Sequence, residues 1–370
     1  RFVHIEDVRG SNPLSPTISL AGLRFSPRAP ISAALTRNPG LPMPDPISDA
    51  ARLSVAPMMD WTDRNCRRFH RLMSRRALLY TEMVTAPAII HGDRPRLLDH
   101  DAAEHPVALQ LGGSDPAELA QATRLAAPWG YDEINLNCGC PSDRVQSGAF
   151  GAILMTTPQV VADCVAAMQD ASAVPVTVKC RIGVDDQQAE QVLPEFLDML
   201  QRTGIRRVTI HARKAWLKGL SPKENREVPP LDYPLVHAMK AQFPALHLSI
   251  NGGIATLDQA RDQLAVMDGA MIGRAAYHEP WNILGGADVL WGDVPPFAAP
   301  AEVAVAMRPM IVDHIAKGGR LHQFTRHMLG LFHGQPGARA WKRTLSEGAS
   351  KGGIEVYDAA LAQVTEAALA

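Results

Sequence analysis

Residues 107–137 read VALQLGGSDPAELAQATRLAAPWGYDEINLN, and this stretch decides the fold. A strand-like run, Val107–Leu111, precedes a segment with helical periodicity, Pro116–Ala127, which opens on Asp and Pro as helices often do. A second strand-like run, Glu133–Asn137, follows directly. Short strand-like runs that alternate with helical segments predict β/α units with parallel strands.

The same unit repeats along most of the chain. The strand-like runs are Leu53–Pro57, Leu78–Thr81, Val107–Leu111, Glu133–Asn137, Pro175–Lys179, Arg207–His211, His247–Asn251 and Gly269–Ile272. The helical segments between them include Pro116–Ala127, Pro158–Gln169, Leu193–Arg202, Leu235–Gln242 and Leu257–Gln263. This alternation predicts a (β/α)8 TIM barrel. A doubly wound sheet is the alternative, but the first strand ends in Ala-Pro-Met-Met and not in a glycine-rich turn.

Two flanking segments depart from the barrel pattern. Residues 1–50 are rich in Pro, Ser, Ala and Arg without a lasting period, which predicts a disordered segment or an upstream extension. A proline-rich joint after residue 294 leads into purely helical periodicity. We therefore predict a barrel of residues 51–294 and a separate helical domain of residues 295–370. Its helices are expected near Ala301–Lys317, Arg320–Leu331, Ala338–Glu347 and Tyr357–Ala368.

The composition is that of a soluble globular protein, with 46% apolar and 20% charged residues. The net charge of -1 does not favour a surface that coats nucleic acid throughout, although a local basic face stays open. No stretch reaches the roughly 18 to 20 uninterrupted apolar residues of a membrane helix, and no secretory leader pattern is seen. The expectation is a cytoplasmic enzyme without a membrane segment or an obligate protein partner.

Polar and glycine residues follow the predicted strands at their carboxyl ends, where barrel enzymes carry their chemistry. The set comprises Pro57, Met58, Met59, Thr81, Glu82, Gln110, Asn135, Asn137 leading to Cys140, Lys179, Arg181, His211, Asn251, Gly252, Gly253, Gly273 and Arg274. Glycines and an arginine after strands seven and eight favour a phosphate site, since barrels commonly hold phosphate there. A plain tight turn is the alternative for the Gly-Gly pair.

Lys179 ends an apolar strand, so its ammonium group must reach the barrel mouth or find a partner. Beside a flavin ring, this charge would stabilise the reduced cofactor. A structural ion pair with an acid such as Glu82 is the alternative. His211 could be a core histidine as well as a ligand, and Gln110 could bind ring heteroatoms or cap a turn.

Cys138 and Cys140 stand one residue apart in Asn-Cys-Gly-Cys-Pro, at the end of the fourth strand. The chain has five cysteines, an odd number, and no C-x-x-C pair. This spacing favours neither a disulfide scaffold nor a structural zinc site, and we predict no metal.

The strand-end motifs together resemble those of the tRNA-dihydrouridine synthases. The resemblance rests on Ala56–Asp63, Leu79–Met83, Gln110–Gly113, Asn135–Ser142, Val178–Gly183, His211–Arg213, Asn251–Ile254 and Ile272–Arg274. Residues 211–226 and 335–342 further resemble the A subfamily of the bacterial synthases. The likeness runs in order from about residue 52 to about residue 350.

This resemblance implies reduction of the C5=C6 bond of tRNA uridines by FMN, which NADPH or NADH reduces in turn. The implied FMN ligands are Pro57, Met58, Met59, Gln110, Lys179, His211, Asn251, Gly252, Gly253, Gly273 and Arg274. Cys140 matches the family's general acid, which protonates C5 after hydride reaches C6. A free thiol, with a pKa of about 8.5, is protonated at neutral pH and suits that role. We expect Cys138 to be a packing residue and Cys180 to point away from the site.

The resemblance also implies contacts with tRNA. Asn137 and Arg181 match uracil contacts, while Lys223, Arg226, Arg339 and Lys342 match residues that grip the tRNA. The implied targets are D-loop uridines 20 and 20a, which must leave their stack to reach the flavin. Residues 308–343 hold seven Lys or Arg against one Asp, which suits phosphate contacts.

Two rival functions use the same residues. An FMN barrel that reduces a small pyrimidine would share the phosphate loops and the lysine, but it would need no basic helical segment. An RNA-binding barrel without chemistry would hold no flavin. No G-x-G-x-x-G fingerprint for a nicotinamide cofactor is present, which fits a donor that binds only transiently.

Overall fold

The computed structural model describes residues 46–142 and 150–369, with the side chains of residues 46, 368 and 369 left aside. Within them, parallel strands β1 to β8 pair in sequence order and close into a barrel, because β8 also pairs with β1. The strands are β1 Leu53–Val55, β2 Leu78–Thr85, β3 Val107–Gly112, β4 Glu133–Cys138, β5 Val176–Arg181, β6 Arg207–His211, β7 His247–Asn251 and β8 Gly269–Ile272. The predicted (β/α)8 barrel is confirmed.

Helices surround the strands in the expected alternation. Those of the barrel region are α1 Pro46–Ala50, α2 Arg64–Met73, α3 Ala86–His91, α4 Arg94–Leu98, α5 Pro116–Ala126, α6 Pro158–Asp170, α7 Ala189–Arg202, α8 Tyr233–Gln242, α9 Leu257–Leu264, α10 Arg274–His278 and α11 Pro280–Leu284. The predicted strand and helix bounds differ from these by a few residues at several ends. β1, for example, ends before Pro57, which lacks the N–H that a ladder needs.

The strands alternate between two layers. Leu109 and Leu136 point outward into the large apolar layer between strands and helices, whereas Gln110 and Asn135 point into the barrel. Cys138 and Cys180 are fully buried in the outer apolar layer, and both thiols are free. Burial raises the pKa of both, so they remain protonated packing groups, as predicted.

The last five residues of the segment predicted as an extension form the helix α1. Ile47 and Ala50 are buried, and Asp49 pairs with Arg76 at 2.8 Å. A helix of a single turn shows no periodicity and depends on tertiary packing, which explains why the sequence pattern missed it. Residues 1–45 lie outside the described residues.

The predicted helical region after the barrel is present, with helices α12 Pro300–Ala316, α13 His322–Met328, α14 Ala338–Gly348 and α15 Ile354–Leu369. Asp63, the N-cap of α2, joins this region to the barrel by ion pairs with Arg326 and His327. Burial alone would raise the pKa of Asp63, but bonds from His327, Cys66 and Arg326 lower it to about 2. Residues 44–370 cluster as one compact unit, so the boundary at residue 295 stays a prediction. No described helix is long and apolar enough to cross a bilayer.

Candidate active site

The turn that carries Cys140 is held by the side chain of Asn137 at the carboxyl end of β4. The Asn137 Oδ1 accepts hydrogen bonds from the backbone N–H groups of Gly139 and Cys140, both at 3.0 Å. The Cys140 carbonyl accepts a bond from Ala152 N at 2.9 Å, and the half-buried Sγ lies 3.4 Å from Ser142 Oγ. Cys140 therefore stands at the barrel mouth on a fixed turn.

A hydrogen-bonded series of side chains, the polar column, runs up the barrel interior to this turn. Its members are Glu133, Thr177, Asn135, Gln110 and Asn137, in order from the bottom of the barrel to the mouth. Thr177 donates to the Glu133 carboxylate. The three bonds above it, Asn135 Nδ2 to Thr177 Oγ1, Gln110 Nε2 to Asn135 Oδ1 and Asn137 Nδ2 to Gln110 Oε1, each measure 2.8 Å.

The polar column has one direction, because an ionised carboxylate can only accept hydrogen bonds. With Glu133 at its base, Thr177 must donate downward, and each amide above must present its NH2 group downward and its oxygen upward. The column therefore turns the Asn137 oxygen toward the N–H groups of the Cys140 turn. If the Asn137 amide were reversed, its NH2 group would face the backbone N–H groups of Gly139 and Cys140, and these donors could not bond to each other.

Lys179 reaches into the mouth from β5, where its Nζ donates to Asn251 Oδ1 at 3.0 Å. Glu82 instead accepts a bond from the backbone N–H of Asp60, and the ion pairs of the described residues include none between Glu82 and Lys179. Burial, followed by the charge of Arg181, lowers the pKa of Lys179 to about 8. Its partner is thus a neutral amide, and its charge is available to a ligand.

Arg181 ties the Cys140 turn to the long loop after β6. Its Nε donates to Gly139 O at 3.1 Å, and its Nη1 donates to Asn225 O at 3.0 Å and Lys214 O at 3.3 Å. The side chain is buried, which lowers its pKa to about 10. These three acceptors are neutral carbonyls, so the guanidinium charge is not neutralised by them.

His211 ends β6 with a buried Nδ1 that has no hydrogen-bond partner among the described residues. Burial, together with the charges of Arg181 and Lys179, holds the pKa of His211 well below its ordinary range. The imidazole is therefore neutral at pH 7. A buried polar nitrogen without a partner is costly unless a ligand completes it.

The two glycines after β7 carry no side chains and therefore leave space beside His211. Gly252 and Gly253 have φ angles of 107° and 73°, which favour glycine. A Cβ at Gly252 would lie 3.1 Å from His211 Cε1, and one at Gly253 would lie 2.5 Å from a Leu231 methyl group. Asn251 fixes this turn to β8 through a 2.8 Å bond from Nδ2 to Met271 O.

Arg213, Arg226 and Arg274 lie close enough together for their charges to interact, which gives this side of the mouth an excess of positive charge. Arg274 pairs with Glu227 at 2.5 Å, and both are about two-fifths exposed. Burial, with the charge of Arg274 added to it, lowers the pKa of both Arg213 and Arg226. One carboxylate thus faces three guanidinium groups. Cations, bare backbone and an unpartnered imidazole nitrogen fit a phosphorylated aromatic cofactor.

The end of β1 supplies the apolar side of the mouth. Met58 is half-buried and its N–H donates to Thr62 Oγ1 at 3.0 Å, while the Met59 side chain is 55% exposed. A Cβ added at Gly273, directly after β8, would lie 3.7 Å from the Met58 sulfur. Pro57, Met58, Met59, Gly273 and Arg274 thus come from neighbouring strands, as the strand order requires.

The predicted tRNA contacts lie on the surface around the mouth. Lys223 and Arg226 belong to the loop after β6, where Glu224–Arg226 form a short 3-10 helix. Arg339 and Lys342 are exposed on α14. Burial, followed by the charges of Arg274 and Lys342, lowers the pKa of His278. Cations of the barrel and of the helical region therefore approach each other beside His278.

Sequence reasoning missed two features of this site. Arg213 was passed over although it stands two residues after His211. Thr177 looked like an ordinary strand residue, and the contact that joins it to Asn135 in the polar column appears only when the strands are in register. Among the described residues, no group of side chains suited to a metal ion is found.

The family model for dihydrouridine synthase (Dus) matches residues 54–368, which covers the barrel and the helical region. This chain belongs to the dihydrouridine synthase family. The predicted membership is thereby confirmed. The match reaches from the first strand to the last helix, so one family accounts for nearly all of the described residues.

Curated relatives in several bacteria have closely similar sequences. The tRNA-dihydrouridine(20/20a) synthase of Xanthomonas campestris is 57% identical over 85% of this chain and 93% of its own length. That of Vibrio vulnificus is 53% identical over 86% and 99%, and that of Escherichia coli K12 is 57% identical over 83% and 89%. A solved structure of an old yellow enzyme homologue from Zymomonas mobilis is 14% identical over 62% of this chain and 86% of its own, with a TM-score of 0.44. That likeness is too distant to bear on function.

Proposed function

We propose that this protein is a tRNA-dihydrouridine synthase that reduces the C5=C6 bond of D-loop uridines 20 and 20a with bound FMN. The observation that carries the proposal is Cys140, held on a fixed turn at the barrel mouth beside Lys179 and Arg181. Relatives that are more than half identical carry the name tRNA-dihydrouridine(20/20a) synthase. A tRNA substrate makes the cytoplasm the expected compartment.

The mouth offers a matching group for each part of FMN. The phosphate would lie against Gly252, Gly253, Gly273 and Arg274. The edge of the flavin ring would be bound by Gln110, Lys179 and His211, with Asn251 behind them. The apolar side of the ring would lie along Pro57, Met58 and Met59. His211 Nδ1 would gain the partner that it lacks among the described residues. The chemistry that FMN supplies when bound is hydride donation to C6 of the uracil ring.

Cys140 completes the reduction as a general acid. Its Sγ–H gives a proton to C5 while the carbanion character at that carbon is neutralised, and a thiolate remains on the enzyme. Lys179, Arg181 and Arg226 stabilise that thiolate. Burial lowers the pKa of each of these three cations, and the nearby Cys140 sulfur counteracts the shift.

Asn137 and Arg181 orient the uracil. Asn137 uses one N–H of its NH2 group for Gln110 and keeps the second for a uracil carbonyl. Arg181 uses Nε and Nη1 for backbone carbonyls, and its Nη2 group would donate to the uracil. Both side chains are buried and fixed, so they hold the flipped base without a large loss of conformational entropy.

The tRNA is held by cations outside the mouth. Lys223 and Arg226 after β6, and Arg339 and Lys342 on α14, would contact phosphates and set the depth to which the D-loop enters. NADPH or NADH would reduce the flavin first and leave before tRNA binds. This order requires no permanent nicotinamide site in the barrel.

An anaerobic titration tests the proposal against its rivals. NADPH is added to the purified protein until the visible flavin absorbance is bleached, and tRNA that lacks dihydrouridine is then added. We expect the absorbance to return with tRNA and not with free uridine or orotate. Return with free pyrimidines alone would support a small-molecule reductase, and the absence of any flavin would support an RNA-binding barrel without chemistry.

A further inference from the structure

Trp216 is an exposed aromatic residue in the loop after β6, and the proposed chemistry does not use it. The residue is 36% exposed, which is high for tryptophan. Other tryptophans of the chain are engaged: Trp61 stacks on Tyr277 with ring centroids 4.4 Å apart, and Trp341 is fully buried. Trp216 is therefore a candidate for contact with a ligand.

The backbone of Trp216 is fixed by Asn225, a fully buried residue of the same loop. Asn225 Oδ1 accepts a bond from Trp216 N at 2.7 Å, and Asn225 Nδ2 donates to Trp216 O at 2.8 Å. The same Nδ2 also donates to Leu220 O at 3.1 Å. Both backbone polar groups of Trp216 thus bond to one side chain, so the indole ring projects from a rigid support.

Two further contacts connect this support to the active site. Asp185 Oδ1 accepts a bond from Leu217 N at 2.7 Å, which anchors the loop to the segment after β5. Arg181 Nη1 donates to the carbonyls of Lys214 and Asn225, on either side of Trp216 in sequence. The loop that carries Trp216 is therefore held by the arginine that would bind the uracil.

The surroundings of the ring are basic. Lys214 Nζ lies 5.7 Å from the ring centroid, at the distance of a cation–π contact. Lys218 and Lys223 are exposed in the same loop. Of the nearby acids, Glu224 accepts a bond from Ser221 N at 2.8 Å, and Glu227 pairs with Arg274. An aromatic ring among cations is the usual surface for an unpaired nucleobase and its phosphate.

We propose that Trp216 stacks on an unpaired base of the D-loop that adjoins the target uridine. This inference rests on the proposed function, because it assumes a flipped uridine in the mouth. A flipped uridine leaves the adjacent base without its stacking partner, and an indole face replaces that partner without reading sequence. Such a platform suits an enzyme whose relatives are named for two successive positions, 20 and 20a.

Substitutions at Trp216 test the proposal through substrate affinity. Trp216→Ala is expected to raise KM for tRNA by about 5- to 150-fold, with a much smaller effect on kcat, and Trp216→Phe is expected to retain most of the affinity. Because no charge is lost, the salt dependence of tRNA binding should keep its slope in Trp216→Ala. Lys223→Ala should instead reduce that slope by about one phosphate contact.

Fluorescence and a modified substrate separate stacking from a structural role. Addition of tRNA should quench indole emission in the wild type and not in Trp216→Phe. The matched control is Trp291→Phe, since Arg76 lies 5.7 Å from the Trp291 ring at the other end of the barrel, and this variant should keep the quenching. Two further tRNA substrates carry an abasic nucleotide next to the target uridine, one on its 5′ side and one on its 3′ side. With one of these two substrates, wild type and Trp216→Ala should bind with equal affinity.

Three results would overturn the inference while leaving the proposed function intact. These are an unchanged KM for tRNA in Trp216→Ala, a raised KM for NADPH instead of tRNA, and an affinity difference that persists with both abasic substrates. If the wild type reduces no tRNA uridine at all, the proposed function itself fails. The two failures are thus distinguishable.

Discussion

The two ends of the barrel differ in whether their charged side chains have partners of opposite charge. At the amino end, the Glu133 carboxylate is fully buried and pairs with Arg207, while Tyr80 donates to it at 2.8 Å. At the carboxyl end, Lys179 bonds to a neutral amide and Arg181 to backbone carbonyls. At the amino end the buried charges neutralise each other, so no ligand is needed there. At the carboxyl end the positive charges of Lys179 and Arg181 are not neutralised by these bonds, which suits anionic groups such as a phosphate and a developing thiolate.

The polar column joins these two ends. Its bonds run from Glu133 through Thr177, Asn135 and Gln110 to Asn137, which holds the Cys140 turn. The fixed charge at the bottom thereby sets the direction of an amide at the mouth. Stability and chemistry use the same series of side chains, and the following predictions separate them.

The largest effect is expected for Cys140→Ala. Loss of the general acid should slow dihydrouridine formation by about 10²- to 10⁴-fold, while FMN binding and NADPH oxidation persist. Product is measured by digestion of the tRNA and mass spectrometry. Cys138→Ala is the matched control, since burial raises the pKa of Cys138 and keeps its thiol in the core, and this variant should form product at a rate near that of the wild type. Equal rates for wild type and Cys140→Ala would assign the acid role to another residue.

Glu133→Ala should cost stability at the amino end. It leaves the Arg207 guanidinium buried without its partner, which lowers the free energy of unfolding by about 3 to 5 kcal/mol. Urea unfolding measures the loss. Glu227→Ala breaks the ion pair at the mouth, where both partners are about two-fifths exposed and solvent screens the charges, and it should cost far less than Glu133→Ala. Similar losses in the two variants would remove the contrast between the two ends.

A smaller effect than the loss in Glu133→Ala is the pH dependence that comes from Lys179. Burial and Arg181 lower its pKa to about 8 from the ordinary 10.5, so the unfolded state binds more protons between these values. Stability of the flavin-free protein should therefore rise with pH through this window, by up to about 3 kcal/mol from this residue. In Lys179→Met, this part of the rise in the free energy of unfolding should vanish when unfolding is measured at pH values near 8 and near 10.5. An unchanged pH profile would place the ammonium group in a more solvated environment.

Much of the fold could be predicted from the sequence because each β/α unit is local. The strands β6, β7 and β8 have the predicted bounds, and the site residues at strand ends follow from the rule that barrel mouths carry chemistry. The helix α1 escaped prediction because one helical turn has no period. The polar column escaped because it depends on the register between strands, which places Asn135 beside Gln110 and Thr177.

The site beyond the strand ends was harder to predict. Cys140 and Lys179 stood out because a reactive or charged side chain ended an apolar strand. Arg213 did not, since its significance comes from the nearness of Arg226 and Arg274, which arrive from other parts of the chain. The fixed position of Trp216 depends in the same way on Asn225, nine residues further along the loop.

The most direct test of the central claim is a map of dihydrouridine in tRNA. Unmodified tRNA is incubated with the protein, FMN and NADPH, and each uridine is scored for reduction. We expect reduction at positions 20 and 20a of the D-loop, and loss of that product in Cys140→Ala. Reduction of free pyrimidines without any reduced uridine in tRNA would contradict it.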